Sequence, residues 1–230
     1  MARVEDTHWW FVGKRAYIGA MGDQFRLGGT ILDVGCGTGG TTKFLTQYGE
    51  VTGIERSPLA VRLAGKRGIA LRRGSANALP FPRQTFDVVT LFDVLYHKDV
   101  IVAAALSEAY RVLKPGGVLL VTDCVHPRLW SAHDEAMHGR ERFTKRGLEA
   151  AIATAGFRIR RSSHIFAATF PLFVLSRLMM RWWKPTTFVA MPPRLINHVL
   201  TLLFRLESAV FRYTNLPFGS SIVIIAGKKN

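Results

Sequence analysis

Short apolar runs alternate along the chain with longer segments in which apolar residues recur at a helical spacing. The helical segments are 41–48, 58–66, 100–113 and 144–155, and Gly156 follows the last of them as a stop signal. The apolar runs, which are typical of buried strands, are 31–34, 51–54, 69–71, 86–91, 118–122, 157–159 and 222–226. Strands that alternate with helices predict an α/β fold, in which helices cover both faces of a parallel sheet.

A long stretch, residues 163–217, separates the sixth and seventh runs and predicts a helical insertion. Two helical segments occur there, 171–184 and 193–214, and each combines an apolar face with an edge of basic residues. One interpretation is a pair of helices lying in a bilayer interface, with Trp182 and Trp183 as anchors. The other is a lid whose apolar faces pack on each other and over a substrate pocket. The most apolar part, 165–180, is interrupted by Arg177 and is too short to span a membrane.

The chain length fits a single domain, with an arm at 1–29, a core at 30–162, the insertion at 163–217 and a last strand within 218–230. The formal net charge of +15 favours a polyanionic partner, such as nucleic acid or an acidic membrane, although a generally basic proteome gives the same figure. Cys36 and Cys124 form no CxxC pair, so neither a disulfide framework nor a metal site is predicted. Residues 1–15 lack the basic-then-apolar order of a secretory signal. We expect a cytoplasmic location, or a peripheral one at the inner membrane face.

A glycine-rich loop, Gly35 to Gly39, follows the first strand and leads directly into a helix. Glycines let a ligand approach the backbone closely, and the helix N-terminus offers free N–H groups. The second strand ends in Glu55, whose carboxylate can accept both hydroxyls of a ribose. The GxGxG spacing differs from the GxGxxG of pyrophosphate-binding loops, and Asp33 suits a ligand with a cationic amino group. The pattern predicts a nucleoside site at the carboxyl ends of parallel strands.

Four ordered motifs extend this prediction: ILDVGCGTG at 31–39, GIE at 53–55, ALPF at 78–81 with FDVV at 86–89, and LKPGG at 113–117. With them the chain resembles the class I S-adenosylmethionine-dependent methyltransferases, in particular the type 11 group that includes ubiquinone-biosynthesis-like enzymes. The resemblance implies a Rossmann-like, doubly wound, seven-stranded sheet that is mostly parallel with an antiparallel last strand. It also implies S-adenosyl-L-methionine as the cofactor and S-adenosyl-L-homocysteine as the product.

The resemblance assigns cofactor-binding roles by position. Glu55 is expected to hold the ribose, and Arg56 to flank the adenine; Ser75 stands where the family usually has an adenine-binding aspartate, which weakens that contact. The opening HWWF segment looks like an arm that folds over the cofactor. The complete predicted set is Trp10, Arg15, Asp33, Gly35, Cys36, Gly37, Gly39, Glu55, Arg56, Ser75, Ala76 and Phe92.

Methyl transfer from a sulfonium depends mainly on the alignment of donor and acceptor in a dry pocket, and an oxygen acceptor also needs a group that takes its proton. We predict Asp93, His97 and His126 as the catalytic candidates. Cys124 is a less favoured alternative, as the nucleophile of an RNA cytosine methyltransferase. The insertion makes a hydrophobic small-molecule or lipid-linked acceptor, methylated at oxygen, the leading expectation.

Two other classes stay open. The first is an RNA methyltransferase, although Phe92-Asp93-Val94-Leu95 lacks the Pro-Pro-aromatic pattern of base N-methylation and no RNA-binding module is evident. The second is a noncatalytic cofactor-binding or membrane-surface protein.

Overall fold

The computed structural model describes residues 4–179 and 191–229 and contains a seven-stranded sheet in the order β3-β2-β1-β4-β5-β7-β6. The last strand in sequence, β7, runs antiparallel to both β5 and β6, and the other neighbouring strands are parallel. This confirms the predicted sheet, including all seven strands. The strands are β1 Thr30–Val34, β2 Glu50–Glu55, β3 Ala70–Arg73, β4 Phe86–Phe92, β5 Leu113–Cys124, β6 Phe157–Ile165 and β7 Ser221–Lys228.

The four predicted core helices are present and slightly shorter than their sequence patterns. Local capping sets two of their starts: the Ser57 hydroxyl accepts a hydrogen bond from the Ala60 amide, and the Thr144 hydroxyl accepts one from Gly147. The helices are α1 Trp9–Phe25, α2 Gly40–Leu45, α3 Pro58–Gly65, α4 Val102–Val112, α5 Ala132–Ala136, α6 Lys145–Thr154, α7 Phe170–Met179 and α8 Arg194–Phe211, with a short 3₁₀ helix at Pro127–Leu129.

Each face of the sheet carries its own hydrophobic core. On one face, Leu106 of α4 and Ile152 of α6 pack with the sheet residues of the first core. On the other face, Tyr17 of α1 and Phe204 and Phe211 of α8 are fully buried with sheet residues of the second. The central strands are therefore apolar on both sides, which explains why they appear in the sequence as continuous apolar runs rather than alternating ones.

The N-terminal arm is largely a helix, α1, which the sequence pattern did not predict. Buried residues lie on most of its surface, so it lacks the single apolar stripe that marks an amphipathic helix. The indole of Trp9 stacks on the ring of Phe204, with centroids 5.3 Å apart. The arm and the insertion thus form one layer over the second core.

The insertion lies between β6 and β7, as predicted, but β6 continues to Ile165, so the connection covers residues 166–220. The predicted helix 171–184 corresponds to α7, and its last part, which includes Arg181, Trp182, Trp183 and Lys184, lies outside the described residues. The predicted helix 193–214 corresponds to α8. Among the helices of residues 4–179 and 191–229, none is both long and apolar enough to cross a bilayer.

The apolar face of α8 differs from the lid expectation. Leu195, Val199 and Leu206, which the lid interpretation expected to be packed, are exposed. The packed face of α8 consists instead of Phe204, Ser208 and Phe211. Large aromatic side chains bury the most apolar area per residue, so they determine which side of the helix turns inward.

Candidate functional site

The glycine-rich loop between β1 and α2 turns sharply at the carboxyl end of the sheet. Gly35, Gly37 and Gly39 all have positive φ angles, of 71°, 55° and 84°. The Gly35 amide donates to the Ile54 carbonyl at 2.8 Å, which ties the loop to β2. A Cβ atom on Gly35 would lie 2.5 Å from Cγ2 of Val94, so both conformation and space require glycine there.

The Glu55 carboxylate is held in a fixed orientation by backbone amides at the end of β2. One oxygen accepts from Gly37 at 2.9 Å, and the other accepts from Arg56 and Ser57, each at 2.8 Å. A carboxylate offers about four acceptor positions, and these amides fill three of them. The oxygen that accepts from Gly37 therefore keeps an acceptor position for a ribose hydroxyl.

Asp93 lines two cavities, one of about 550 Å³ and one of about 510 Å³. The smaller one, here called the nucleoside cleft, is lined by the loop glycine Gly35 and by Glu55 at the end of β2. Its volume is within the range of small-molecule sites. The predicted residues that line the nucleoside cleft are Gly35, Glu55, Arg56, Ser75, Ala76, Asp93 and His97.

These residues fit a nucleoside with a cationic sulfonium. Gly37 has open space where a Cβ would point, so nothing blocks approach to the loop there. Arg56 forms an ion pair with Asp99 at 2.9 Å on the rim of the cleft. The Ser75 hydroxyl accepts a hydrogen bond from the Asn77 amide at 3.2 Å, which stabilises a turn beside the cleft. The carboxylates of Glu55 and Asp93 in the lining suit the ribose and the cationic part of such a nucleoside.

Several predicted cofactor residues lie close to the cleft without lining it, namely Cys36, Gly37, Gly39 and Phe92. Asp33 is buried beneath the loop, where its carboxylate accepts from the hydroxyls of Thr42 at 2.7 Å and Thr90 at 2.6 Å. Burial raises the pKa of Asp33 to about 6, although the two hydroxyls counteract the shift. In this position Asp33 supports the loop from below.

The two predicted residues of the N-terminal arm have different positions. Arg15 donates to the backbone carbonyls of Glu5 and Asp6, both at 3.1 Å, and so fastens the arm to itself. Trp10 lines the larger cavity. Neither side chain lines the nucleoside cleft.

The larger cavity, here called the acceptor cavity, lies between the arm and the insertion. Its apolar lining includes Trp9 and Trp10 of the arm, Phe166 and Phe173 of the insertion, and Leu200 of α8. Polar side chains interrupt this lining, among them Asp93, His133, Asp134, Arg142 and Arg177. Asp134 pairs with Arg142 at 2.7 Å, with both side chains 4% exposed. An apolar chamber with a few polar groups suits a hydrophobic molecule that carries a polar head.

Asp93 joins the two cavities. It is the first residue after β4, has a φ of 54°, and its amide donates to the Thr122 carbonyl at 2.8 Å. Its carboxylate forms an ion pair with Lys14 of α1, and the Lys14 ammonium also lies 4.4 Å above the ring of Trp10. The arm therefore contributes the cation that neutralises the acid at the junction.

A second acid lies beside this junction at the end of β5. Asp123 is fully buried and accepts from the amides of Tyr96 at 3.2 Å and Cys124 at 2.8 Å. Burial, and then the negative charge of Asp93, raises the pKa of Asp123 to about 8. Asp123 is thus mainly protonated near neutral pH.

The predicted bases are distributed around the site. His97 lines the nucleoside cleft, and burial lowers its pKa. The His126 imidazole contacts the Gly219 carbonyl at 2.9 Å and lines neither cavity. His133 lines the acceptor cavity, and burial lowers its pKa, so it is neutral and able to accept a proton. Cys124 also lines the acceptor cavity, but burial raises the pKa of its thiol, which opposes a nucleophilic thiolate.

Sequence reasoning missed Lys14 and Asp123, although signals for both existed. Lys14 follows Trp10 by four residues, so a helical arm places the two on one face, whereas Arg15 turns away. Asp123 lies near the end of β5 and comes directly after Thr122, the partner of Phe92, just as Asp93 comes directly after Phe92 at the end of β4. In the part of the chain that the structure describes, no group of three or more His, Cys, Asp or Glu side chains could hold a metal ion.

A doubly wound sheet with an antiparallel last strand, a glycine-rich loop and an acid at the end of β2 defines a class I S-adenosylmethionine-dependent methyltransferase fold. Residues 32–121 match the methyltransferase domain model of type 11. Residues 32–121 therefore carry a methyltransferase domain of the type 11 group, which uses S-adenosylmethionine.

Curated relatives and a solved structure agree with this assignment. The chain is 36% identical over 135 residues to demethylmenaquinone methyltransferase of Tropheryma whipplei strain Twist, which covers 56% of this chain and 53% of the relative. It is 38% identical over 133 residues to 2-methyl-6-phytyl-1,4-hydroquinone methyltransferase of Synechocystis, which covers 54% of this chain and 39% of the relative. The chain thus spans about half the length, or less, of these relatives.

The same fold occurs in the crystal structure of an S-adenosylmethionine-dependent methyltransferase from Thermotoga maritima. The TM-score is 0.62 at 23% identity, and the match covers 96% of this chain and 93% of that one. The structural match thus extends over most of the chain, whereas each of the two sequence matches covers just over half of it.

Proposed function

We propose that this protein transfers a methyl group from S-adenosylmethionine to a hydrophobic small-molecule or lipid-linked acceptor that binds in the acceptor cavity. The observation that carries the proposal is that Asp93 lines both the nucleoside cleft and the acceptor cavity. A methyl donor in one and an acceptor in the other would meet at this residue, as an in-line displacement requires.

Residues of the nucleoside cleft would hold and orient the cofactor, which supplies an electrophilic methyl group when bound. Glu55 would bind the ribose hydroxyls, and the loop at Gly35 would allow close approach of the methionine part. Asp93 would place a carboxylate beside the sulfonium. Its negative charge is balanced in part by the ammonium group of Lys14. Trp10 and Phe166, whose rings are stacked with centroids 6.1 Å apart, would help to exclude water from the acceptor side.

The lining of the acceptor cavity supports a substrate with an extended apolar part. Relatives named as demethylmenaquinone and phytyl hydroquinone methyltransferases act on molecules of this general chemistry, according to their names. We propose that the acceptor is a hydroxylated ring with a hydrophobic tail. The ring would lie beside the polar side chains of the acceptor cavity, and the tail would lie along its apolar lining. This lining gives less support to an RNA acceptor, because stacked bases and phosphates call for an open basic surface.

For the acceptor atom we propose oxygen. His133 lines the cavity in its neutral form, so it can take the hydroxyl proton as the oxygen attacks the methyl group. The proton would pass to an imidazole nitrogen, and the acceptor oxygen would form the new O–C bond while the bond between the methyl group and the donor sulfur breaks. The electron pair of that bond would stay on sulfur, which leaves S-adenosylhomocysteine as the neutral product. Asp93 is the alternative proton acceptor at the junction.

Calorimetry and a labelled-methyl assay test this proposal together. We expect S-adenosylhomocysteine to bind, and label from S-adenosylmethionine to enter a lipid extract rather than total RNA. NMR of the product would then distinguish an O-methyl from a C-methyl group. Transfer of the labelled methyl group to RNA alone would show that the acceptor is RNA and refute the proposed acceptor class. If S-adenosylhomocysteine did not bind, the protein would be noncatalytic.

A cavity-filling variant separates the two sites. Ser176 lines the acceptor cavity and is remote from the nucleoside cleft. Ser176→Trp is expected to raise KM for the acceptor about tenfold or more while leaving S-adenosylhomocysteine affinity within about twofold. Equal losses in both measurements would contradict the assignment of separate cavities.

A further inference from the structure

Helix α8 presents an unusual outward face. Leu195, Val199, Leu202, Leu206 and Val210 follow one another at spacings of four and three residues, and their exposed fractions lie between 51% and 75%. Single exposed leucines are common on protein surfaces, but a continuous row of five along one helix marks an interaction site. The face of α8 that packs on the protein is the opposite one, with Phe204 and Phe211.

Basic residues lie along one edge of this apolar row. Arg194 and Arg205 are exposed and fall at helical positions between the outward row and the packed face. Arg212 continues the edge, where it pairs with Asp23 of α1. An apolar row beside a basic edge is the arrangement of a helix that lies in the plane of an anionic bilayer. The formal net charge of +15 adds a long-range attraction to the same surface.

The same helix also borders the acceptor cavity. Leu200 and Pro192, just before the helix, line that cavity together with Leu172 of α7, which is 68% exposed. If α8 bound a bilayer, the rim of the acceptor cavity would therefore lie next to the lipid. This would shorten the path of a membrane-dissolved molecule to the site.

We propose that the outward face of α8 docks on an anionic phospholipid bilayer. The apolar row would lie at the boundary of the acyl chains, and Arg194 and Arg205 would lie at the headgroups. The docking itself is independent of catalysis; only the delivery of the acceptor from the bilayer rests on the proposed function. The other occupants of such a face, a second copy of this chain or another protein, are outcomes of the test below.

Flotation of the full chain with vesicles tests the docking. We expect binding to vesicles of phosphatidylcholine mixed with phosphatidylglycerol, and weaker binding to phosphatidylcholine alone. The double variant Leu195→Glu/Leu206→Glu is expected to lower the vesicle partition coefficient about tenfold or more. Arg194→Ala/Arg205→Ala is expected to lose the preference for anionic vesicles while retaining part of the binding.

The matched control is Leu59→Glu on α3, where an exposed leucine lies outside the apolar row. It should bind vesicles like the parent chain. Equal loss in this control, or undiminished binding of the leucine double variant, would overturn the proposal. So would a parent chain that is a stable dimer in sedimentation velocity and becomes a monomer in the leucine double variant.

Activity on a detergent-solubilised acceptor separates this proposal from the proposed function. The leucine double variant should methylate such an acceptor at the parent rate and lose rate only with acceptor embedded in vesicles. Lack of transfer by the parent chain to every acceptor would refute the proposed function and leave the flotation result standing.

Discussion

Lys14 of α1 forms an ion pair with Asp93 of the β4 terminus, and only 6% of the lysine side chain and 22% of the aspartate side chain are exposed. The N-terminal arm is thereby joined to the residue that both cavities share. Asp123 lies at the end of the neighbouring strand β5 and experiences the charge of Asp93. Lys14 therefore does more than fasten the arm: it provides the counter-charge for the largely buried carboxylate of Asp93.

Removal of the lysine charge tests this relationship. Lys14→Met leaves Asp93 as a poorly solvated carboxylate beside Asp123, so we expect the free energy of unfolding to fall by about 3 kcal/mol. Urea denaturation would measure the loss. In the double variant Lys14→Met/Asp93→Asn the unpaired charge is gone, and most of the stability should return while methyl transfer stays impaired. A double variant as unstable as the single one would show that Lys14 acts mainly through packing on Trp10.

The buried acid itself predicts a pH dependence. The pKa of Asp123 is about 8 in the folded protein, against 3.8 for an unperturbed aspartate side chain. Between these two values the folded protein holds a proton that the unfolded chain releases. This contribution to stability is therefore complete below about pH 4 and is lost as the pH rises through about 8.

The corresponding experiment measures the free energy of unfolding from pH 5 to pH 8 for the parent chain and for Asp123→Asn. The parent should lose up to about 1.4 kcal/mol more per pH unit than the variant over this range. Asp99→Asn, an exposed carboxyl at the rim of the nucleoside cleft, serves as the control and should keep the parent slope. Parallel curves for the parent and Asp123→Asn would mean that Asp123 is ionised in the folded state.

The sequence was sufficient for the sheet and for the loop of the nucleoside cleft, because both are encoded locally. Buried strands give continuous apolar runs, and the glycines before α2 are required by backbone conformation at positions such as Gly35. The residues around Asp93, where the two cavities meet, could be predicted from the sequence only in part. Asp93 was predicted from its place after β4, but its partner Lys14 comes from a segment 79 residues away in sequence.

The insertion was the least accessible part. Its two helices could be recognised from their period, but which face packs depends on what the rest of the fold offers. The arm provides Trp9 as a partner for Phe204, so the aromatic side of α8 turns inward and the apolar row turns outward. A helical wheel ranks faces by hydrophobicity and cannot identify such a tertiary partner.

Glu55 provides a direct test of the nucleoside cleft. Glu55→Gln removes the charge and replaces one accepting oxygen with a donor, so we expect the affinity for S-adenosylhomocysteine to fall about 10- to 100-fold in calorimetry. Glu50 is exposed at the opposite end of the same strand, and Glu50→Gln should leave the affinity unchanged. Because Glu55 also accepts amides of the loop, the melting temperature of each variant should be measured alongside. Unchanged affinity in a folded Glu55→Gln variant would show that the ribose lies elsewhere.

Gly35 tests whether the loop conformation itself is required. In Gly35→Ala the new methyl group would meet Val94 at 2.5 Å while the backbone keeps a φ of 71°, so the loop or the Val94 side chain must shift. We expect a loss of about 1–3 kcal/mol in stability and a reduction of cofactor affinity greater than the stability loss explains, because the loop faces the cleft. Gly65→Ala in α3 is the matched control: its Cβ would meet no atom within 4 Å, and alanine there should be neutral or slightly stabilising. Full binding by Gly35→Ala would mean that the loop tolerates a side chain at its tightest point and that the cleft is not shaped by this glycine.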